Sequence, residues 1–178
     1  MNQSKKRNQN YVRNSIRGLQ NRTAGKEFEE IIDTTCKVYE MYRLAKIEKT
    51  PEPVKIIQSL GNGRYIACFE KQAQPDYKGT LKGGASVVFE AKSTSGDQMK
   101  QEVVKDWQAE SLDFHARLGA RCFVCVSFAG GRYYRIPWGV WREMQRIYGH
   151  KYVTPDEIEQ YRIPIKNGVP DFLGLITK

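Results

Sequence analysis

The chain has 178 residues, a net charge of +9 and a pI near 9.4, and 40% of its residues are hydrophobic. This length is most simply one domain with a hydrophobic core, plus tails. No apolar run approaches the roughly 20 residues that span a bilayer, and the N-terminus lacks the hydrophobic segment of a secretory signal. We therefore expect a soluble, cytoplasmic protein, and the positive charge favours a polyanionic partner. The four cysteines fit reduced thiols in that compartment.

Residues 1–22 are predicted to be a flexible basic arm. They hold six basic residues and no acidic one, among many asparagines and glutamines, and so polar a segment does not pack. We expect the arm to contact phosphates and to become ordered on binding. A solubilising tail is the alternative. The basic residues are Lys5, Lys6, Arg7, Arg13, Arg17 and Arg22.

Helical spacing of apolar residues predicts a first helix from Thr23 to about Arg43. Glu29 lies near its start, where the helix dipole tolerates an acid, and spacing alone favours a surface carboxylate. A strand-like segment, LAKIEK, follows. The segments VKIIQSL, GNG and RYIACFEK then predict a hairpin within about residues 50–73. Its Lys55, Arg64 and Lys71 would form a basic finger, and a plain edge hairpin is the alternative.

The stretch from Asp76 to Lys92 has the most unusual chemistry in the chain. Asp76 opens it, a turn at Gly83 and Gly84 interrupts it, and an apolar strand then carries Glu90 and Lys92. Because successive strand side chains point to opposite faces, Glu90 and Lys92 share one face, roughly 7 Å apart. A charged pair in so apolar a strand needs a metal, a substrate or a partner charge, since unpaired buried charge is costly.

A long helix is predicted next, from about Gln98 to Leu118, with one apolar packing face. Gln108 borders this face, and Gly119 is placed to end the helix. The predicted packing face consists of Val103, Val104, Trp107, Ser111, Phe114 and Leu118.

The remaining third of the chain predicts two strands, CFVCVSF and RYYRIP, and more helix. Cys122 and Cys125 lie three residues apart on a strand and therefore face opposite sides, which argues against a zinc or redox pair. A helix should run from Pro137 to about Tyr148, and another should start at Thr154–Glu157. This order of elements indicates an α/β fold with a mixed sheet.

The combination of Asp76, Glu90 and Lys92 points to phosphodiester chemistry. Two neighbouring carboxylates bind a hard cation such as Mg²⁺, which polarises the phosphodiester and lowers the pKa of the attacking water. A lysine beside them can orient or deprotonate that water, or stabilise the charge on the phosphate. An acid, a spacer with a turn, and E-x-K on a strand form the pattern of the PD-(D/E)xK nucleases. Here it reads Pro75-Asp76, then Glu90-Ala91-Lys92.

Longer motifs narrow the resemblance from this superfamily to one family. The chain resembles the RecU-type Holliday-junction resolvases, including forms carried by phages of Gram-positive bacteria. The resemblance runs from about Asn21 to Ile176. It rests on NRTAGKEFEEII, AKIEKTPEPVKII, DYKG, VVFEAK, WQAESL, FVCVSF, YYRIP and VPDFLGLI.

The resemblance implies a restriction-endonuclease-like core, a homodimer, and cleavage of four-way DNA junctions with Mg²⁺ or Mn²⁺ in recombination and repair. The nuclease domain would occupy residues 23–178, and the hairpin would be the stalk that projects toward the junction. The protein would act in the bacterial host cytoplasm, with a recombinase as a further partner candidate. DNA contacts are expected from Arg13, Arg17, Arg22, Lys26, Lys55, Arg64, Lys71 and Lys78.

The resemblance also assigns roles to individual residues. Asp76 and Glu90 match the metal-binding acids of the family, and Lys92 matches its catalytic lysine. Glu29 matches an acid near the site and joins the expected metal ligands, which replaces its interpretation as a surface carboxylate. Gln108 matches a glutamine on the helix after the E-x-K strand.

Two departures from the family pattern concern substrate preference. The stretch before the acid is usually rich in Ser and Thr, and here it is KQAQP, with Pro75 in place of a common threonine. The approach to Gln108, usually rich in histidine, is KDW. Two alternatives remain open. One is another PD-(D/E)xK nuclease acting on linear or flapped DNA, and the other is a non-catalytic DNA-binding modulator of recombination.

Overall fold

A computed structural model describes residues 23–51, 53–69 and 74–176, and it shows an α/β fold around a five-stranded mixed sheet. The sheet has the order β1-β4-β5-β7-β8, and within it only β5 and β7 run parallel. This arrangement confirms the predicted fold class. The five strands are β1 (Ala45–Lys49), β4 (Tyr77–Leu81), β5 (Ser86–Thr94), β7 (Arg121–Phe128) and β8 (Arg132–Pro137).

Helices cover both faces of this sheet. Helix α1 (residues 23–41) packs through Phe28 and Ile32 on one face, and α2 (Asp106–Arg117) packs through Leu112 on the other. The strands alternate between the two cores, as a half-buried pleat requires. Along β7, Cys125 belongs to the α1 side while Cys122 packs on the α2 side, which confirms their predicted opposite orientations.

The connection between β1 and β4 is a separate hairpin. Strands β2 (Val54–Gly61) and β3 (Arg64–Phe69) pair with each other in a two-stranded sheet, and residues 54–68 are exposed throughout. Asn62 at the turn has a positive φ of 51°, between two glycines that also have positive φ. The hairpin lies within the range predicted for the stalk, and its role as a stalk stays a prediction.

The predicted helix from Gln98 is wrong in its first third. Met99 and Lys100 instead form β6, which pairs with β9 (Tyr152–Val153), and a 3₁₀ turn (Gln101–Val103) follows. Extended backbone at Lys105, with φ −73° and ψ 156°, separates that turn from α2. Pairing with a strand about fifty positions away overrides the local helical pattern here.

The packing face predicted for this helix is also wrong in its C-terminal half. Phe114 is 62% exposed and Leu118 is 72% exposed, whereas Leu112 and Ala109 face the sheet. The helix therefore has two apolar faces, and one chain covers only one of them.

The helices of the C-terminal third are shorter and more often interrupted than predicted. The helix expected from Pro137 is split at Glu143 into α3 (Trp138–Arg142) and α4 (Met144–Tyr148). The helix start expected at Thr154–Glu157 is a turn, in which the Glu157 carboxylate accepts hydrogen bonds from the backbone N–H and hydroxyl of Thr154, both at 2.9 Å. It leads into a 3₁₀ turn (Glu159–Tyr161) and a short ladder of β10 (Ile165–Lys166) and β11 (Val169–Pro170).

A buried carboxylate fixes the C-terminal segment against α1. Asp171 accepts a hydrogen bond from the Tyr39 hydroxyl at 2.8 Å and from the backbone N–H groups of Leu175 and Ile176 at 2.9 and 3.1 Å. The Lys166 ammonium lies 3.2 Å from the same carboxylate.

Among the described residues, no helix is long and apolar enough to cross a membrane.

Candidate active site

The register of β4 against β5 brings the two predicted acids together. Tyr77 lies opposite Phe89, so the next residues outward, Asp76 and Glu90, are neighbours at the end of the pair. The backbone N–H of Asp76 donates to Glu90 Oε1 at 3.3 Å, and the backbone N–H of Ala91 donates to Asp76 Oδ2 at 3.1 Å. Each carboxylate therefore contacts the backbone of the other strand.

Gly79 allows the neighbouring strand to approach closely enough for this arrangement. A Cβ at this position would lie 2.2 Å from the carbonyl oxygen of Lys46 and 2.7 Å from the Cα of Ile47 on β1. This contact gives a physical reason for the glycine of the DYKG motif three residues after Asp76.

Lys92 lies between the two acids. Its ammonium is 3.0 Å from Asp76 Oδ2 and 2.7 Å from Glu90 Oε2. The side chain of Glu90 is fully buried, while those of Lys92 and Asp76 retain some exposure. The structure therefore brings together the three residues that the sequence predicted, and one edge of the cluster is open to solvent.

The two acids differ in their electrostatics. Burial, together with the nearby Asp76 charge, raises the pKa of Glu90 to about 8, although Lys92 opposes this shift. Burial alone would raise the pKa of Asp76, but the Lys92 charge and hydrogen bonds from the surrounding residues hold it below its usual value. Burial would lower the pKa of Lys92, and the two carboxylates raise it above its ordinary value instead. One ammonium is thus shared between two carboxylates.

Gln108 is held at the start of α2 and reaches into the cluster. Its Oε1 accepts a hydrogen bond from the backbone N–H of Lys105 at 3.1 Å, which caps the helix, and its Nε2 donates to Glu90 Oε2. The cap fixes the rotamer of a buried amide whose other end contacts the buried acid. The sequence pattern alone placed Gln108 only at the border of a packing face.

Glu29 lies at a second, connected position. Its carboxylate is 2.6 Å from the ammonium of Lys49 at the end of β1. The hydrogen bond with Glu29 is the chief reason that the pKa of Lys49 is raised, and the Asp33 and Asp76 charges add to this shift. Lys49 therefore lies within electrostatic reach of both Glu29 and Asp76. Sequence reasoning missed Lys49, because no local signal links residues 20 positions apart.

Asp33 is a further acid that the sequence did not single out. The Tyr77 hydroxyl donates to Asp33 Oδ1 at 3.0 Å, and it also lies 3.5 Å from the main-chain oxygen of Glu29. Tyr77 directly follows Asp76, so this contact ties helix α1 to the strand that carries the first acid.

Two carboxylates are a suitable donor set for Mg²⁺ or Mn²⁺. Among the residues that the structure describes, no group of three or more His, Cys, Asp or Glu side chains is placed to hold a metal ion. Hard cations such as Mg²⁺ are often held by one or two carboxylates, with water and substrate phosphates as the other ligands. Asp76 and Glu90 fit this description, and the role of Glu29 as a third ligand stays a prediction.

The residues predicted to contact DNA fall into two groups, those that the structure describes and those that lie outside the described residues. Lys26 on α1 and Lys55 and Arg64 on the hairpin are exposed, and Lys78 on β4 donates to Gln74 Oε1 at 2.7 Å. Their contact with DNA stays a prediction. The predicted arm and its Arg13, Arg17 and Arg22, as well as Lys71, lie outside the described residues.

A cavity of about 610 Å³ lies between the start of α2, α3 and β9, and it includes Trp138, Trp141 and Tyr152. None of Asp76, Glu90 and Lys92 lines it. The carboxylate–lysine cluster is the candidate active site, because it combines buried charge with a solvent-open edge.

Comparisons with known proteins identify the family of the chain. The family model described as RecU, Recombination protein U, matches residues 23–177. The chain is 28% identical over 166 residues to the Holliday junction resolvase RecU of Bacillus licheniformis, covering 86% of this chain and 83% of that protein. It is 27% identical over 166 residues to the Bacillus subtilis protein of the same name, covering 86% and 80%.

Among solved structures, the fold is similar to Hjc, a Holliday junction resolvase from Archaeoglobus fulgidus. The TM-score is 0.46 at 14% identity, covering 76% of this chain and 93% of that one. The match to the family model covers all the described residues, including the cluster at the end of β4 and β5. The chain therefore belongs to the RecU family.

Proposed function

We propose that this protein is a metal-dependent endonuclease that resolves four-way DNA junctions by paired nicks, in DNA recombination and repair. The observation that supports this most directly is the convergence of Asp76 and Glu90 on Lys92, in a chain that belongs to the RecU family. The resolvase names of the family relatives supply the substrate class.

Asp76 and Glu90 would hold Mg²⁺ or Mn²⁺ through carboxylate oxygens. When bound, the cation polarises the phosphodiester and lowers the pKa of the attacking water. Glu90 must be ionised to serve as a ligand. Gln108 keeps its carboxylate oriented through the Nε2 hydrogen bond.

Lys92 would present its ammonium to the water and to the phosphate oxygens. The water oxygen forms a bond to phosphorus and loses a proton to solvent. The bond from phosphorus to one sugar oxygen breaks, and this leaving oxygen takes up a proton from solvent to become a hydroxyl. A fixed positive charge beside the reacting phosphate stabilises the added negative charge of the transition state. Glu29 would act at the edge of the site, where its partner Lys49 lies within reach of Asp76.

Resolution of a junction requires two symmetric nicks, so the protein would act as a homodimer. The arm, the exposed hairpin and Lys26 and Lys78 would contact the phosphate backbone, and affinity should fall steeply as salt concentration rises. A recombinase is a further partner candidate, and the bacterial host cytoplasm is the expected compartment.

The test is Mg²⁺-dependent cleavage of a synthetic four-way junction beside a linear duplex of matched sequence. We expect paired nicks in the junction, none in the duplex, and loss of cleavage in Asp76→Asn but not in the control Asp156→Asn, whose side chain is exposed. Equal cutting of both substrates would replace the resolvase with another nuclease of the superfamily. Junction binding without cutting in Mg²⁺ or Mn²⁺ would leave a non-catalytic modulator.

A further inference from the structure

Helix α2 carries an apolar stripe that its own chain leaves uncovered. Trp107, Ser111, Phe114 and Leu118 follow one another at steps of four, three and four residues, which places all four on one side of the helix. Phe114 and Leu118 are 62% and 72% exposed, and Trp107 and Ser111 are half-buried. The opposite side, with Ala109 and Leu112, already packs on the sheet. The stripe therefore does not belong to the core of one chain.

The stripe is palindromic in its spacing. Reversing the helix direction exchanges Trp107 with Leu118 and Ser111 with Phe114, so an antiparallel copy presents the same stripe at the same heights. A two-fold symmetric interface requires such self-complementarity, since the same patch serves both partners. The small Ser111 near the centre leaves room for the Phe114 ring of the second copy.

The charges beside the stripe have the same symmetry. Asp106 and Glu110 lie on one flank of the N-terminal half of α2, and Arg117 lies on that flank of the C-terminal half. All three are exposed, and within one chain none forms an ion pair with another described residue. When two α2 helices pack antiparallel about a two-fold axis, the charged flanks of both copies lie on the same side of the pair, and the helices run in opposite directions. Each Arg117 therefore lies beside Asp106 and Glu110 of the other copy.

We propose that this face of α2 is the interface with a second copy of the chain, formed by two antiparallel α2 helices. The inference names a surface for the dimer that is part of the proposed function, and in this respect it rests on that function. An apolar stripe with aromatic side chains, flanked by charged residues, is the usual arrangement of a protein–protein interface. Gln108, which contacts Glu90, lies on the same helix, so the interface would join the two active sites through two short rigid elements.

The first test is sedimentation velocity of the full chain without DNA or metal. We expect a dimer for the natural sequence and a rise of at least about 100-fold in its dissociation constant for Phe114→Glu and for Leu118→Glu. Both residues are exposed, so circular dichroism should show unchanged folding. Met41→Glu is the control, because Met41 is equally exposed (68%) on helix α1.

A charge exchange provides a second test that a structural role alone would not pass. Arg117→Glu should weaken the dimer, and Glu110→Arg added to the same chain should restore it, since the two residues lie seven positions apart and meet only across the interface. A dimer unaffected by all these changes would overturn the inference and leave the proposed function standing. If the natural protein is a dimer that these substitutions weaken, but it does not cleave junctions, the proposed function fails and the interface inference stands.

Discussion

Among the residues that the structure describes, two carboxylates are almost completely buried, and their surroundings differ. Asp171 is 2% exposed and is surrounded only by donors: a tyrosine hydroxyl, two backbone N–H groups and the Lys166 ammonium. Glu90 is 0% exposed, but it competes with Asp76 for a single ammonium, that of Lys92. The first carboxylate is balanced by its neighbours, whereas the second lies in a cluster that is short of positive charge. In this structure, the candidate cation site is therefore at the buried acid that shares its ammonium with a second acid.

Removing Asp171 should cause the largest loss of stability. Asp171→Ala removes the acceptor of the Tyr39 hydroxyl and of the backbone N–H groups of Leu175 and Ile176, while the Lys166 ammonium keeps the Ile176 carbonyl oxygen as an acceptor. Each buried donor left without an acceptor costs roughly 1–3 kcal/mol, so we expect a total loss of about 3–5 kcal/mol of unfolding free energy. Urea denaturation measures the loss. Asp156→Ala, at an exposed acid, should stay within about 0.5 kcal/mol of the natural protein. A loss below about 1 kcal/mol for Asp171→Ala would remove the contrast between the two acids.

Glu90→Gln should strongly reduce cleavage and change stability little, the opposite of what we expect from Asp171→Ala. We expect junction cleavage to fall at least about 100-fold, because a neutral amide is a poor ligand for Mg²⁺. Stability at pH 7 without metal should change by less than about 1 kcal/mol, since burial already favours the neutral form of this carboxyl. Single-turnover cleavage and urea denaturation of the same preparation test both parts. Retained cleavage would show that Glu90 is not a metal ligand.

The pH dependence of stability should distinguish Glu90 from the other buried acid, Asp171. Because its pKa is raised in the folded chain, from an ordinary value of 4.5 to about 8, the folded state holds a proton that the unfolded state releases. In chelator, this group should therefore make unfolding easier as pH rises from about 5 to 8. Thermal melts with and without Mg²⁺ should show metal stabilisation that grows over the same range, because the cation replaces the proton. Glu90→Gln should abolish both trends, and a pH-independent metal effect would contradict the assignment.

Gln108 should give the smallest of these effects. Gln108→Ala removes the helix cap and the contact with Glu90, so we expect about a tenfold loss of cleavage and about 1 kcal/mol of stability. Gln160→Ala, at an exposed glutamine, is the matched control. Loss of stability with full activity would make Gln108 a cap alone.

Much of the site was predictable because its signals are local. The two-residue period of a strand places Glu90 and Lys92 on one face, and the turn at Gly83 and Gly84 folds β4 back so that Asp76 meets them. The mixed sheet followed from the order of elements in the same way. These features depend on neighbours in sequence or on a single hairpin register.

The missed features depend on distant partners. The pairing of β6 with β9 replaces the first turns of the helix predicted from Gln98, and the ion pair of Lys49 with Glu29 joins a strand to a helix. In the C-terminal half of the packing face predicted for α2, Phe114 and Leu118 are apolar in the sequence, yet they are exposed in the structure. Periodicity detects an apolar stripe, but it does not identify what covers the stripe.

The exposed hairpin begins and ends at one point of the sheet. Lys49 pairs with Tyr77, and the backbone N–H of Thr50 donates to the carbonyl oxygen of Asp76 at 2.8 Å, so β1 and β4 hold the two ends of the insertion together. The pairing of β1 with β4 offsets the entropy cost of closing this loop, so closure does not depend on contacts within the hairpin. This entropy cost rises only slowly with loop length. The hairpin can therefore be lengthened, shortened or exchanged during evolution while the carboxylate at its base keeps its position. A change in the hairpin would therefore alter the surface of the protein without moving the backbone that carries Asp76.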